Sequence, residues 1–405
     1  MIRLLEPRHE TRRRKHVVVL NQFGLPPSQG GGTRHIDLFS RVEGWTPLII
    51  TGNRSHYNQE AFDTEDKRFR LTWVPRQHGG SIARIIGWVI YAVQAFCLTI
   101  TRRRLDLVYG SSPHLLAPLA GLAAARLRRV PFVFEVRDLW PESIVAAGKM
   151  APGSLIHRAL TKLERLLVTQ ADRIVVVTSG WEDHFAQLGV PVSKLTVIPN
   201  GTEVSDFRVF ETRETLRTAY GISGFTAIFA GAHGPKDGIE LILDAAARLP
   251  EINFLLVGAG PSKKQVQTRA RQQKLKNVEF RPLIPKTELP RLLKACDVGV
   301  HAVSPFSVFE KGMSPNKLFD YMASGLPVVS NAEQALRDVM VDGECGHLGG
   351  YDSLEKCLRS VYGSDKATRE EWGSRGRQIV AERFSRSAAA SRLTAILNSL
   401  VRVNS

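Results

Sequence analysis

Residues 225–249 read FTAIFAGAHGPKDGIELILDAAARL. Phe225–Gly231 is an apolar run of strand length that breaks at a glycine-rich turn, and from Asp237 to Leu249 apolar residues return at helical spacing. A nearly continuous apolar run suits a strand covered on both faces, as parallel sheets require. Strand, glycine turn and helix in that order form half of a βαβ unit. The same pattern opens the chain. His16–Asn21 (HVVVLN) leads through PPSQGGGTR (Pro26–Arg34) into a helical stretch, Thr33–Glu43.

Working outward, two sets of strands separate. Thr46–Thr51, Leu71–Val74, Asp106–Gly110, Pro131–Val136 and Arg173–Thr178 join the first, with helices at His114–Arg128, Ser154–Thr169 and Gly180–Leu188. Ile252–Gly258, Val278–Phe280, Val298–His301, Pro327–Ser330 and Gly346–Leu348 join the second. Its helices fall at Lys263–Gln273, Lys286–Ala295, Pro315–Ser324 and Glu333–Met340. Between the sets, Ile198-Pro-Asn-Gly-Thr202 and a polar stretch to about Arg213 read as turn and linker. Two further helical stretches, Asp365–Glu382 and Ser387–Val401, end the sequence. The expected fold class is α/β: two doubly wound parallel-sheet domains facing a cleft, with ligands at the carboxyl ends of the strands.

Composition narrows the class further. Of 405 residues, 43% are apolar and 23% charged, which excludes a disordered chain, collagen and a coiled coil. No 20–50-residue period points to a solenoid or propeller. Four scattered cysteines without CxxC spacing argue against structural zinc or a disulfide scaffold and fit a reducing compartment. The first residues show no secretory signal pattern. The net charge is +16, of which residues 1–202 carry +11 (27 Lys+Arg, 16 Asp+Glu). Such an excess points to an anionic partner: nucleic acid, anionic membrane or phosphorylated substrate. With no aromatic-interleaved basic patch, nucleic acid is the weakest of these.

Ile85–Thr101 holds 17 uncharged residues closed by Arg102-Arg103-Arg104. It is short of the about 20 residues a span needs. Two readings stay open: a core helix, or a helix lying in the plane of an anionic membrane beside its basic cluster.

Five motifs stand at strand-to-helix turns. Gly31 and Gly32 let backbone amides approach a ligand; neither GxGxxG nor a P-loop is present. FEVRDLWPES sets Arg137, Asp138 and Glu142 just past a buried strand, at the ligand edge of the sheet. Ile198-Pro-Asn200-Gly201 reads as a hinge turn. In FAGAHGPKDG, Gly231 and Gly234 allow close approach and Lys236 can meet a phosphate as a point charge, while His233 reads as an ordinary loop histidine. The most informative motif is FEKGMSPNKLFDYMASGLPV (Phe309–Val329). Ser314 is a candidate N-cap, with Pro315 in the first turn. Lys317 and Asp320 are three apart and share a helical face; together they suit a nucleoside diphosphate, with Lys317 for phosphates and Asp320 for ribose.

The ordered set GGGTRH, SSPHLLAP, FEVRDLWPES, VIPNGTE, FAGAHGPKDGIELILDAA, SPNKLFDYMASGLPVV and the terminal ERFS helix resembles retaining glycosyltransferases of family 4 with the GT-B fold. It looks nearest to the branch of L-fucosamine transferase-like enzymes of cell-surface polysaccharide assembly, and the resemblance covers nearly the whole chain. It implies Rossmann-like domains over residues 1–202 (acceptor) and 203–383 (donor), with 384–405 returning to the first. It implies transfer from a nucleotide sugar with retained configuration, no metal and no cofactor. By position, Gly31 and Gly32 match the glycine loop near the donor diphosphate and acceptor. Asp138 and Arg137 fall where many members have a His-Asp pair, with Arg replacing His. Asn200 and Gly201 match the hinge turn, Lys236 the basic phosphate position and Lys317 a phosphate contact. Asp320 matches the second acid of a two-glutamate motif. The first acid would fall at Gly312, and Glu310 stands two residues earlier as a substitute. Asp138, Arg137 and Glu310 are thus the expected catalytic residues; Gly31, Gly32, Asn200, Gly231, Lys236, Ser314, Lys317 and Asp320 the expected donor contacts. The implied partners are a nucleotide-sugar donor, a glycan or polyprenyl-linked saccharide acceptor and an anionic membrane, with a cytoplasmic location on the inner face of the plasma membrane. Rival readings are a nucleotide-sugar 2-epimerase of similar architecture, a non-catalytic sugar-binding relic, and a nucleic-acid binder.

Overall fold

The computed structural model describes residues 13–29, 33–55, 59–76, 81–305 and 310–401. Two sheets organise them. The first contains β1 (Lys15–Leu20), β2 (Trp45–Gly52), β3 (Phe69–Thr72), β4 (Leu107–Ser111), β5 (Phe132–Val136), β6 (Arg173–Val176) and β7 (Leu195–Val197), in the order β3-β2-β1-β4-β5-β6-β7. The second contains β8 (Thr226–Ala230), β9 (Asn253–Val257), β10 (Val278–Arg281), β11 (Val298–His301), β12 (Val328–Ser330) and β13 (Gly346–Leu348), in the order β10-β9-β8-β11-β12-β13. All five ladders of the second sheet are parallel. Each sheet grows from its first strand to one side and then to the other, so strand order reverses beside β1 and beside β8.

Burial explains the reading from apolar runs. β4, β5 and β11 are buried along their whole length, whereas the edge strands β10 and β7 are only half covered. In the second sheet the alternation is explicit. Ile228, Leu255 and Val257 pack one face with Leu318 and Met322, while Ala227, Phe229, Phe254 and Leu256 pack the other with Ile242 and Leu243. Each such large side chain contributes roughly 1.5–3 kcal/mol by leaving water.

Several sequence expectations need adjustment. Directly after the stretch expected as linker stands a helix outside the sequence expectations, Arg213–Tyr220, capped by the Thr212 hydroxyl and ended by Gly221 in the left-handed region. The helix Leu354–Gly363 and the short strand β7 were not foreseen. The helix expected over Glu333–Met340 closes after one turn, at Leu336. The chain also forms two compact units. One compact unit runs up to Phe134 and takes in the chain from Leu393; the other is Glu135–Arg392. Within the second unit, Gly180 and Gly201 sit against backbone. A Cβ on either would stand 1.9 Å from the carbonyl oxygen of Lys311 or Phe384 respectively.

Within the first unit, the end of the helix Arg386–Leu400 lies by β1 and β2. Lys15 Nζ donates to the Val401 carbonyl at 2.7 Å, and Trp45 Nε1 donates to Asn398 Oδ1 at 3.1 Å. The stretch with two open readings forms a helix, Ser81–Ile100. Tyr91 buries its ring and donates to the Ile50 carbonyl at 2.7 Å. The opposite side of this helix is open.

Candidate functional site

The reversal beside β8 places the carboxyl ends of β8 and β11 next to the start of the helix Asn316–Ser324. Such a position is where doubly wound sheets hold ligands. Lys317 enters here because residue 231 is glycine. A Cβ at Gly231 would stand 2.8 Å from Lys317 Cε, inside van der Waals contact. The lysine crosses the Phe229 ring, its Nζ 4.0 Å from the centroid, and donates to Asp237 Oδ1 at 2.8 Å. The other Asp237 oxygen accepts from the Gly234 amide at 3.1 Å, so one carboxylate ties the glycine turn to the lysine. Burial lowers the pKa of Lys317, and the Asp237 charge works against that.

The helix start differs from the expectation. Pro315 (φ −80°, ψ 125°) is extended and occupies the N-cap itself, the helix begins at Asn316, and no side chain caps it. Ser314 is therefore not the N-cap. Its hydroxyl accepts from the Asn200 amide at 2.8 Å, and its carbonyl accepts from Asn200 Nδ2 at 2.6 Å. Asn200 thus fixes the loop that feeds the helix, which explains an asparagine in that turn beyond its turn propensity. An uncapped N-terminus next to a half-buried lysine is suited to an anion, since amides, dipole and ammonium all favour negative charge there.

Lys317 and Asp320 do not form a pair. Lys317 goes to Asp237, whereas Asp320 is buried at 8% exposure on its own side of the helix. Burial raises the pKa of Asp320, and the charges of Lys286 and Arg386 counter it. The Thr202 hydroxyl beside it also counters the rise, without hydrogen-bonding geometry.

Asp138 follows β5 and is exposed. The atoms packed around it raise its pKa, while Lys236 and then Arg137 lower it. The structure therefore brings Asp138, Arg137 and Lys236 into one electrostatic neighbourhood. His233 is fully buried and held neutral, its pKa lowered to about 4 mainly by burial. His301, at the end of β11, shares a hydrogen bond with Ser330 Oγ at 2.8 Å and is pushed down to about 3 by burial.

The missing acid at Gly312 has a backbone reason. Gly312 has φ +117°, and a Cβ there would lie 2.6 Å from Thr178 Oγ1. A glutamate is incompatible with this path. Glu310 is exposed, and its charge acts on Tyr351; no contact brings it to Lys317 among the described residues. Gly31 and Gly32 lie outside the described residues.

Sequence reasoning missed Asp237, Phe229 and Thr202. Asp237 had a signal: it stands in a glycine turn immediately before a helix, where aspartate is a turn former. The ring under the lysine and the hydroxyl beside Asp320 come from distant segments and left none.

Comparison with known proteins gives the family and the fold. A family model described as a glycosyl transferase 4-like domain matches residues 9–201, and one described as glycosyl transferases group 1 matches 224–360. The putative colanic acid biosynthesis glycosyl transferase WcaI of Escherichia coli is 26% identical over 64% of this chain, and the match spans 66% of that protein, just under two thirds of its length. The probable glycosyltransferase WbjE of Pseudomonas aeruginosa is 26% identical over 76% of this chain and 75% of its own. Among solved structures, Anabaena HepE in complex with UDP and glucose superposes with a TM-score of 0.72 at 18% identity, covering 95% of this chain and all of that one. WaaG, a glycosyltransferase involved in lipopolysaccharide biosynthesis, superposes with a TM-score of 0.69 at 17% identity, over 94% and 99% of the two chains. With the two family models together spanning most of its length, the chain belongs to the family 4 glycosyltransferases of GT-B fold.

Proposed function

We propose that this chain transfers a sugar, with retention of anomeric configuration and without a metal ion, from a nucleoside-diphosphate donor to a glycan or lipid-linked saccharide acceptor in cell-surface polysaccharide assembly. The observation that carries the reading is the half-buried Lys317 beside an uncapped helix N-terminus at the carboxyl end of β8. That combination suits a diphosphate, whose leaving charge must be met without reorganisation. The named relatives support the substrate class, and a structural neighbour holding UDP and glucose supports the donor class.

In this reading Lys317 and the amides of Asn316 and Lys317 take the phosphates, and Asp320 takes ribose hydroxyls. Lys236 adds positive charge, and Asp138 with Arg137 faces the transferring sugar. Ser314, Asn200 and Gly231 hold the lysine and helix start in place. Glu310 is assigned to the donor sugar. The protein works at the cytoplasmic side of the membrane, in peripheral contact with anionic lipid. Calorimetric titration with UDP, GDP and dTDP tests the donor site. The reading predicts one diphosphate bound well above the others; no binding of any of the three removes the basis for the site.

A further inference from the structure

The helix Ser81–Ile100 has two unlike sides. Gly87, Tyr91, Ala95 and Thr99 recur every four residues and are buried against the body of the first unit. Ile82, Ile85, Ile86, Val89 and Val93 recur at spacings of three and four and are exposed, at between 46% and 75%. Cys97 continues the same row and is also exposed. Five large aliphatic side chains in one open row are unusual on a soluble surface. The stripe has a bulky aromatic neighbour. Trp73 is 57% exposed, and its backbone is clamped to the helix by Gln94, whose Oε1 accepts from the Trp73 amide and whose Nε2 donates to its carbonyl at 2.7 Å.

Charge surrounds the end of this stripe. Arg102, Arg103 and Arg104 follow it directly and are exposed. Arg128 Nη1 donates to the Ile100 carbonyl at 2.5 Å, which brings the end of the helix Leu116–Arg128, with exposed Leu127, to the same place. The first compact unit holds 21 Lys+Arg against 9 Asp+Glu, a net +12 of the chain's +16.

Ile82–Ile100 is apolar and long enough to cross a membrane by composition alone. Its packing rules that out: the Tyr91 bond to β2 and the buried row fix one side to the sheet. The available posture is in-plane, with the open row toward acyl chains and the arginines among headgroups. We infer that the Ile82–Val93 face, with Trp73 and Arg102–Arg104, is an insertion surface for an anionic lipid bilayer. This gives the proposed membrane contact a location. It rests on the open face and its charges, not on the nucleotide site, so the two stand or fall separately.

Vesicle flotation of the full chain tests it, with phosphatidylcholine alone and with phosphatidylglycerol added. Cys97 supplies an internal reporter, because the other three cysteines are buried and a thiol-reactive, environment-sensitive dye labels it selectively. The expected result is flotation with anionic vesicles at low salt, a blue shift of the Cys97 dye, and its quenching by nitroxides in the acyl chains. Replacing Arg102, Arg103 and Arg104 by Gln should weaken partitioning on the order of a hundredfold, at about 1 kcal/mol per arginine. The triple change Ile82→Ser, Ile86→Ser and Val89→Ser should abolish dye quenching while leaving nucleoside-diphosphate affinity and thermal midpoint close to wild type. Wild-type protein left in the soluble fraction with anionic vesicles overturns the inference. So does vesicle binding with an unquenched dye, or a stripe covered by a second copy of the chain in sedimentation analysis.

Discussion

Replacing Lys317 by Met removes the ammonium and keeps most of the stem. The structure gives the charge two tasks, which the variant separates by magnitude. As a brace, Lys317 pairs with Asp237 at 2.8 Å, with side-chain exposures of 15% and 21%. The pair stands between the surface case, worth about 0–1 kcal/mol, and the buried case, where losing one partner costs about 3–5 kcal/mol. Asp237 keeps its bond from the Gly234 amide, which softens the loss. A destabilisation of about 1–3 kcal/mol is therefore expected. As a phosphate contact, the ammonium supplies a charge-assisted hydrogen bond of about 1.5–3 kcal/mol, or roughly 10- to 150-fold in affinity. Asp237→Asn provides the contrast. It takes the counter-charge from the lysine, costs stability in the same range, and frees Lys317 for phosphate, so affinity holds or rises. Denaturant unfolding gives the first quantity and calorimetry the second. If both variants lose stability and neither changes nucleoside-diphosphate affinity, Lys317 is a brace alone and the reasoning about the site fails.

Three more outcomes follow. Gly231→Ala pushes a methyl to 2.8 Å from Lys317 Cε; it should displace the ammonium and lower nucleotide affinity about tenfold with little loss of stability, because the flexible side chain yields, as calorimetry and thermal unfolding would show. Asp320→Asn should act oppositely on folding and on binding. The folded carboxyl binds its proton more tightly than the unfolded one, so its stabilising effect is complete below the unfolded value of about 3.8 and is lost as pH rises through the folded value. The Asn variant should unfold at higher temperature than wild type at pH 7, match it near pH 3, and bind nucleotide at least several-fold more weakly. Gly312→Glu, which restores the acid of the family motif, should destabilise the protein by roughly 1–3 kcal/mol because of its positive φ and the Thr178 hydroxyl, as urea unfolding would register.

Strand positions were legible because both sheets bury their central strands completely. β11 was read as Val298–His301 and β8 to within a residue at each end, from apolar runs alone. The helix Arg213–Tyr220 was not, because it buries one residue, Leu216, and so shows almost no apolar period. At the site, Lys317 was visible from its place at a helix start. Its ion-pair partner was not, because the lysine bonds to Asp237, 80 residues away in sequence, and not to Asp320 three residues along its own helix. Spacing reports only neighbours on the same element, and a fold that stacks turns brings closer partners from elsewhere. Ser314 shows the same limit. Its type and position suit an N-cap, but Asn200 takes its hydroxyl first. Gly312 marks the reverse case, where an absence in a motif has its cause in backbone conformation, which composition does not display.

The measurement that bears most directly on the proposed activity is product analysis with labelled nucleotide sugars, in the presence and absence of polyprenyl-linked saccharide extracted from membranes. The account predicts that one donor releases its nucleoside diphosphate only with acceptor present, that label appears in the lipid-linked product with retained anomeric configuration, and that Lys317→Met slows the transfer. A donor that is bound but never consumed, or a sugar isomerised without acceptor, would contradict it.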